Sequence, residues 1–216
     1  MPTETFFNLP EEKRSRLLDV LLDEFSQNDY DNVSIARITE RAGIAKGSFY
    51  QYFADKKDCY LYLMQLAIEE KTNFLRQPPP EPPVDTFAHL RWLVDAGMQF
   101  QFHHPRLAHI AYKALFDDVP LPEETLTMIR RGGYAYFRDL VQSGIVDGTF
   151  DPQIDVDTAA FVLNAVFTEL GQYLMQRFDI SPSQLLARGA DALNQDEIRH
   201  IILQVITILE TGLRKK

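Results

Sequence analysis

The chain has 216 residues, of which 45% are hydrophobic and 25% charged, with a formal net charge of −9. This is globular composition, and the acidic balance excludes non-specific nucleic-acid binding by the molecule as a whole. Its single cysteine excludes an internal disulfide, and without a signal-peptide pattern or a spanning apolar run we expect a cytoplasmic protein with no membrane partner.

Helical periodicity dominates the first third of the chain. An apolar stripe over residues 17–25 predicts an amphipathic first helix. Ser34 is a suitable N-cap for a short helix over about 34–41, which ends at Gly43. A second short helix is predicted over about 45–52.

A long helix over about 56–76 joins these short helices to the rest of the chain. It is followed by QPPPEPPVD, which holds five of the 12 prolines and predicts an extended, polyproline-like spacer over residues 78–83. Beyond the spacer, helices are expected at about 85–103, 105–117, 122–144, 155–178 and 196–214. We therefore predict an all-α fold with an N-terminal domain over 1–55 and a larger helical domain over 56–216.

The two short helices and the glycine between them form the pattern of a helix-turn-helix unit. In such units the second helix enters the major groove of DNA, so its first residues must be small or polar. Hydroxyl and amide side chains suit contacts with phosphates and base edges. The second helix supplies these groups through Lys46, Gly47, Ser48, Tyr50, Gln51 and Tyr52.

Local charge supports the same prediction. Residues 34–57 carry five basic and two acidic side chains, whereas the remainder of the chain is strongly acidic. Lys56 and Lys57 lie at the start of the long helix, where backbone N–H groups also favour phosphate. A basic segment on an acidic protein is suited to docking on DNA.

The stretch SIARITERAGIAKGSFYQYFADKKDCY resembles the signature of the TetR/AcrR family of transcriptional regulators, T-x-x-x-I-A-x-x-A-G-V-S-x-G-x-x-Y-x-Y/H-F-x-x-K-x-x-L. Residues matching it are Ser34, Ile38, Ala42, Gly43, Gly47, Tyr50, Tyr52, Phe53 and Lys56. The departures are Thr39, where alanine is usual, and the Cys59–Tyr60 pair, where aliphatic residues are more common. The resemblance implies a set of DNA-binding residues, to which Arg37 is added because we expect its side chain to be exposed. The set is Ser34, Arg37, Lys46, Gly47, Ser48, Tyr50, Gln51, Tyr52 and Lys56.

Apolar residues occupy nearly every face of the helix over 158–175, and the last helix is similarly broad. A helix that is apolar all round must be covered all round, either inside one subunit or against a second copy. The resemblance implies the second arrangement, a homodimer that reads a palindromic double-stranded DNA operator. The interface residues expected on this basis are Phe161, Ala165, Thr168, Ile202, Ile206 and Leu209.

Many aromatic residues occur in the larger domain, where they form either plain core or the wall of an apolar cavity. The resemblance implies a cavity for a small-molecule effector of unknown identity, and repression as the family's usual mode. Expected pocket residues are Trp92, Tyr112, Phe116, Phe137 and Phe167, with His103, His104, His109 and Gln172 as possible polar groups. The Gly132–Gly133 pair inside a predicted helix suggests a kink or a close approach.

Two other classes of protein are an enzyme and a helical ligand-binding or adaptor protein. Metal-ligand spacings, a glycine-rich phosphate loop and a Gly-x-Ser-x-Gly motif are absent from the sequence, so we expect no enzyme and no cofactor or metal. Cys59 is expected to be a small buried hydrophobe rather than a redox thiol. The alternative function is a helical ligand-binding or adaptor dimer that does not bind DNA.

Overall fold

The computed structural model describes residues 1–76, 85–116, 119, 121–180, 184, 187 and 194–214. Its helices are α1 (Glu4–Phe7), α2 (Glu11–Gln27), α3 (Ile35–Ala42), α4 (Lys46–Tyr52), α5 (Lys56–Arg76), α6 (Thr86–His103), α7 (Pro105–Phe116), α8 (Glu123–Val146), α9 (Val156–Arg177) and α10 (Gln195–Leu213). A short 3-10 turn, Tyr30–Asn32, lies between α2 and α3. The all-α prediction is confirmed, whereas α1 and the 3-10 turn were not predicted.

The first compact unit consists of Met1–Asn73 together with His104–Pro122. Its core is built from apolar side chains of α1 to α5 and α7, including Phe6, Leu21, Phe25, Ile38, Phe49, Phe53, Leu63 and Ile110. Cys59 belongs to this core as expected, and desolvation raises the pKa of its thiol well above the usual value. The Tyr60 hydroxyl donates to the Ile110 carbonyl at 3.1 Å and thereby ties α5 to α7.

The second compact unit consists of Phe74–His103 and Glu123–Lys216. Its core includes Phe87, Leu90, Val141, Phe150, Ala160, Leu163 and Ile206. At Gly133 of α8, an added Cβ would lie 2.9 Å from the Asn164 side-chain oxygen of α9, whereas Gly132 faces open space. Gly133 is therefore where α8 and α9 approach closely, which is one of the two explanations expected for this glycine pair.

The first unit includes α5 as far as Asn73 and the whole of α7. The Arg106 guanidinium of α7 donates to Asp23 at 2.7 Å, and the Lys113 ammonium donates to the carbonyls of Ser26 and Asn28 at 3.2 and 2.8 Å. The predicted proline-rich spacer over 78–83 lies outside the described residues. Within the described residues, no helix is long and apolar enough to cross a bilayer.

Candidate nucleic-acid interface

Both ends of α3 are formed by the residues that the sequence indicated. The Ser34 hydroxyl accepts a hydrogen bond from the backbone N–H of Arg37 at 3.3 Å, which satisfies one donor of the first turn. Gly43 follows the helix with φ 69° and ψ 37°, a left-handed conformation that favours glycine. The N–H groups of Gly43 and Ile44 donate to the carbonyls of Glu40 and Thr39, so the chain leaves α3 in a tight turn.

After this turn, α4 places polar groups on the surface and the rings of Phe49 and Tyr52 in the core. Phe49 is fully buried, whereas Tyr50 is 50% exposed. The other predicted contacts on this helix are Lys46, Gly47 and Gln51, which are exposed, and Ser48, which is partly exposed. A Cβ added at Gly47 would meet no atom within 4 Å, so this position leaves the backbone open to an approaching molecule.

Arg37 was predicted to contact DNA, but its guanidinium is engaged within the chain. Its Nε and Nη2 donate to Glu24 Oε1 at 2.9 and 2.6 Å, and Nη2 also donates to the Asn32 carbonyl at 2.6 Å. Half of the Arg37 side chain is exposed, yet its donors hold α2, the 3-10 turn and α3 together. In the structure its guanidinium supports α3, and the contact of Arg37 with DNA stays a prediction.

Tyr52 and Lys56, which were also predicted to contact DNA, are likewise engaged within the chain. Tyr52 is only 5% exposed and its ring lies against Phe6, so it belongs to the core of the unit. The Lys56 ammonium donates to the carbonyls of Tyr30, Asp31 and Val33 at 2.7, 3.3 and 3.4 Å and lies over the Tyr30 ring. It thus satisfies carbonyls at the 3-10 turn, whereas its neighbour Lys57 is exposed.

The carboxylates that support α3 were not predicted from the sequence. Glu24 is buried and accepts from the backbone N–H of Ser34 at 3.0 Å as well as from Arg37. Asp23 pairs with Arg41 of α3 at 2.8 Å and with Arg106 of α7 at 2.7 Å. Burial acts to raise the pKa of Asp23, but hydrogen bonds from these two arginines outweigh it, so the pKa is lowered. Such pairs join residues many positions apart, which helical periodicity cannot reveal.

The five predicted effector residues are not assembled into one site by the described contacts. In the second unit, Phe137 and Phe167 pack with ring centroids 5.2 Å apart. Trp92 packs on His89 at 5.2 Å, whereas Tyr112 belongs to the first unit. The Phe116 side chain lies outside the described residues. An open surface depression of about 480 Å³, lined by Asp139, Gln142, Ser143, Val146 and Asp147, contains none of the five.

His109 of α7, proposed as a polar group of the effector site, lies in the first unit. Among the residues that the structure describes, its buried Nδ1 has no hydrogen-bond partner. Desolvation, assisted by the nearby charge of Lys113, lowers the pKa of His109 to about 4. The imidazole is therefore neutral at physiological pH.

Three predicted interface residues on α10 face the interior of their own subunit. Ile202, Ile206 and Leu209 are buried in the core of the second unit, so they are not available to a second copy. The exposed positions of α10 include Leu203, 46% exposed, and Ile208, 71% exposed. The sequence showed that α10 is apolar on two sides, but periodicity alone did not tell which side faces inward.

The expected interface residues of α9 are placed differently. Phe161 is 64% exposed and Thr168 is also exposed, whereas Ala165 is partly covered. Val162 and Tyr173 extend the exposed apolar surface of this helix. We call Phe161, Val162, Tyr173, Leu203 and Ile208 the apolar face of the second unit.

Comparison with known proteins gives two family matches. Residues 17–63 match the family described as bacterial regulatory proteins, tetR family. Residues 84–214 match the tetracyclin repressor-like C-terminal domain. A crystal structure of a TetR family transcriptional regulator from Chloroflexus aurantiacus J-10-fl is 69% identical, with complete coverage of both chains and a TM-score of 0.82.

Curated relatives are more distant. The HTH-type transcriptional repressor KstR of Rhodococcus jostii is 27% identical over 92 residues, which is 43% of each chain. The HTH-type transcriptional activator FasR of Mycolicibacterium smegmatis is 27% identical over 108 residues, 50% of this chain and 47% of its own length. The chain thus spans less than half the length of these two relatives.

Proposed function

This chain belongs to the TetR family of transcriptional regulators, and from that premise we propose that it is a dimeric repressor that binds a palindromic DNA operator and is released by a small hydrophobic effector. Family membership places it among transcription regulators rather than enzymes. The observation that carries the proposal is the exposed polar face of α4, which follows a tight turn in a family-matched helix-turn-helix.

We assign the DNA contacts to side chains that are exposed or partly exposed. The proposed set is Ser34, Lys46, Ser48, Tyr50 and Gln51, with Gly47 permitting close approach of the backbone. Lys46 supplies charge for a phosphate, whereas the hydroxyl and amide groups suit phosphates or base edges. The Ser34 hydroxyl accepts from Arg37 and retains its own hydrogen for donation to a phosphate oxygen. In this proposal residues 1–55 bind DNA and residues 56–216 serve the effector and the dimer.

The dimer is proposed to form through the apolar face of the second unit. Exposed apolar patches commonly mark interfaces, and α9 and α10 carry five exposed apolar side chains. Pairing α9 and α10 with their two-fold copies would cover Phe161 and Ile208 in a four-helix bundle. The expected result is that Ile208→Glu shifts the dimer to monomers in sedimentation velocity. Val146→Glu is a matched control because Val146 is 88% exposed and lies outside this face, and equal dissociation of both variants would contradict the proposal.

The effector is proposed to be hydrophobic because Trp92, Phe137 and Phe167 bring aromatic side chains to the second unit. Repression is proposed on the usual mode of the family. Relatives named as a repressor and as an activator both match the chain, so a reporter assay must test the sign of regulation. Higher reporter output on loss of the protein supports repression, and lower output overturns it.

The DNA proposal is tested by enriching random duplexes on the purified protein at physiological salt. We expect a palindromic consensus, with binding that weakens in Lys46→Ala and Tyr50→Phe. Loss of one phosphate contact in Lys46→Ala should reduce the salt slope by about 1. Lys13→Ala removes an exposed lysine from α2 and serves as the control. A folded dimer that enriches no sequence at any salt would instead support the ligand-binding or adaptor alternative.

A further inference from the structure

Residues 1–7 lie ahead of the segment that matches the family, which begins at residue 17. They nevertheless contact the end of α4 through both backbone and side chains. The backbone N–H of Thr3 donates to the Tyr52 carbonyl at 2.9 Å, and the Thr3 hydroxyl donates to the Gln51 carbonyl at 2.6 Å. We call residues 1–7 the N-terminal clamp.

These two bonds matter because α4 has little stabilisation of its own. It contains seven residues, far fewer than an isolated helix needs to be stable in water. Its N-cap residue, Ala45, makes no side-chain hydrogen bond, and the last carbonyls of any helix lack partners within the helix. Thr3 therefore satisfies two acceptors that the helix itself leaves without donors.

Phe6 adds an apolar contact at the same corner. Its ring is fully buried, with centroid distances of 5.1 Å to Phe53, 5.4 Å to Tyr62 and 6.4 Å to Tyr52. Tyr62 lies on α5, whereas Tyr52 is the last residue of α4. Phe6 thus fills the angle between the end of the second helix-turn-helix helix and the start of the long helix.

A third contact involves Asp58 in the first turn of α5. One of its carboxylate oxygens pairs with the Met1 amino group, and the other accepts from the backbone N–H of Ala54 at 3.0 Å. Asp58 itself donates its N–H to Asp55 at 2.7 Å. The clamp therefore contacts the α4–α5 corner through hydrogen bonds, an ion pair and a buried ring.

We propose that the N-terminal clamp fixes the orientation of α4, and that Thr3 and Phe6 are positioning residues for sequence recognition. The inference rests on the proposed DNA-binding function, and it adds a determinant outside the family-matched segment. Base-edge contacts require accurate placement of a helix, whereas long flexible lysines can still reach phosphates after a small rotation. Loosening the clamp should therefore reduce discrimination between sequences more than overall attraction to DNA.

The test uses Thr3→Val and Phe6→Leu, which remove a hydroxyl donor and an aromatic ring while retaining similar volume. Matched controls are Thr5→Val and Glu4→Gln, because both side chains are exposed in the same segment and neither has a described hydrogen bond to α4. Hydrogen exchange is measured on the α3 and α4 amides of the protein without DNA. Affinity is then measured for the selected duplex and for a scrambled duplex across a range of salt concentrations.

We expect α4 amides of Thr3→Val to exchange about threefold to tenfold faster than those of Thr5→Val, the range for loss of one hydrogen bond. Exchange in α3 should stay unchanged, and the ratio of specific to non-specific affinity should fall by a similar factor with the same salt slope. Faster exchange with an unchanged affinity ratio would overturn the positioning role and leave a purely stabilising one. A salt slope reduced by about 1 would also overturn it, because Thr3 would then contact a phosphate directly.

The exchange experiment needs no DNA, so the two proposals fail in distinguishable ways. If the wild-type protein selects no duplex, the DNA-binding proposal fails. If α4 exchange is the same in Thr3→Val, Phe6→Leu and both controls, the clamp itself is overturned, whatever the protein binds.

Discussion

The two short helices of the helix-turn-helix are held by different kinds of contact. The first, α3, has a side-chain N-cap in Ser34 and a left-handed glycine after its last turn, and ion pairs from Arg37 and Arg41 join it to α2. The second, α4, has no side-chain cap, and its last carbonyls are satisfied by Thr3. Support for α4 thus comes from outside the helix, which leaves its exposed polar side chains available for recognition.

The two helices also differ in whether charged groups or apolar side chains hold them. The contacts that hold α3 include pairs of Asp23 and Glu24 with arginines, whereas α4 rests on Phe49, Phe6 and bonds to carbonyl oxygens. Acid and salt should therefore act on α3 more than on α4.

The largest expected effect is that of Glu24→Ala, which tests whether α3 depends on the buried carboxylate that α2 supplies. The change removes the acceptor for Ser34 N–H and for Arg37, and should lower the free energy of unfolding by about 2–3 kcal/mol. The expected loss of unfolding free energy is moderate because half of the Arg37 side chain is exposed to water. Urea denaturation measures the change. Glu40→Ala, an exposed change on α3 itself, should stay within about 0.5 kcal/mol, and equal losses in both variants would contradict the prediction.

A smaller effect is expected from Gly43→Ala, which alters the turn between the two helices. A side chain at φ 69° is strained by about 1–2 kcal/mol, although the added Cβ itself meets only the Arg16 guanidinium at ordinary contact distance. Thermal unfolding should therefore show a loss of that size. Gly47→Ala is the matched control, because Gly47 is helical and its Cβ would meet open space. A neutral or stabilising result at Gly47 with a clear loss at Gly43 would confirm that backbone strain, rather than side-chain size, is responsible.

The smallest effect concerns pH and the Asp23 carboxylate. Because the pKa of Asp23 is lowered on folding, its ionised form contributes stability that is fully present above about pH 4 and is lost as pH falls through the lowered pKa. Asp23→Asn should cost about 0.5–1 kcal/mol at neutral pH, a modest value because both arginine partners are partly exposed. Denaturation curves at several pH values should show the difference shrinking in acid. A constant difference across that range would mean that the charge of Asp23 is not what stabilises α3.

Much of the fold was predictable because helical period, capping residues and helix-breaking residues are local signals. Ser34 and Gly43 marked the ends of α3 for this reason, and predicted boundaries elsewhere agree closely with the observed ones. The short α1 was not predicted because four residues are too few to show a helical period. Its Phe6 becomes informative only when the partners Phe53 and Tyr62, far along the chain, are known.

The position of the candidate DNA interface was predictable from the sequence, but the residues available to form it were not. The pattern indicated α4 correctly as the exposed polar helix, because Phe49 faces inward and its neighbours face outward. It could not show that Arg37 and Lys56 are engaged with Glu24 and with backbone carbonyls, since those partners are set by tertiary packing. For a related reason, the sequence did not show that Ile202, Ile206 and Leu209 of α10 face inward, because a helix that is apolar on two sides has no unique inward face.

The burial of Cys59 makes the protein well suited to measurements of distance. The chain contains one cysteine, and its thiol lies in the core of the first unit with a raised pKa, so maleimide or methanethiosulfonate labels should not attach to the folded protein. A cysteine introduced at the exposed Lys57 would then be the sole labelling site on an otherwise native chain. Spin labels there would report the separation of the two DNA-reading units in a dimer, with and without a duplex or a small molecule.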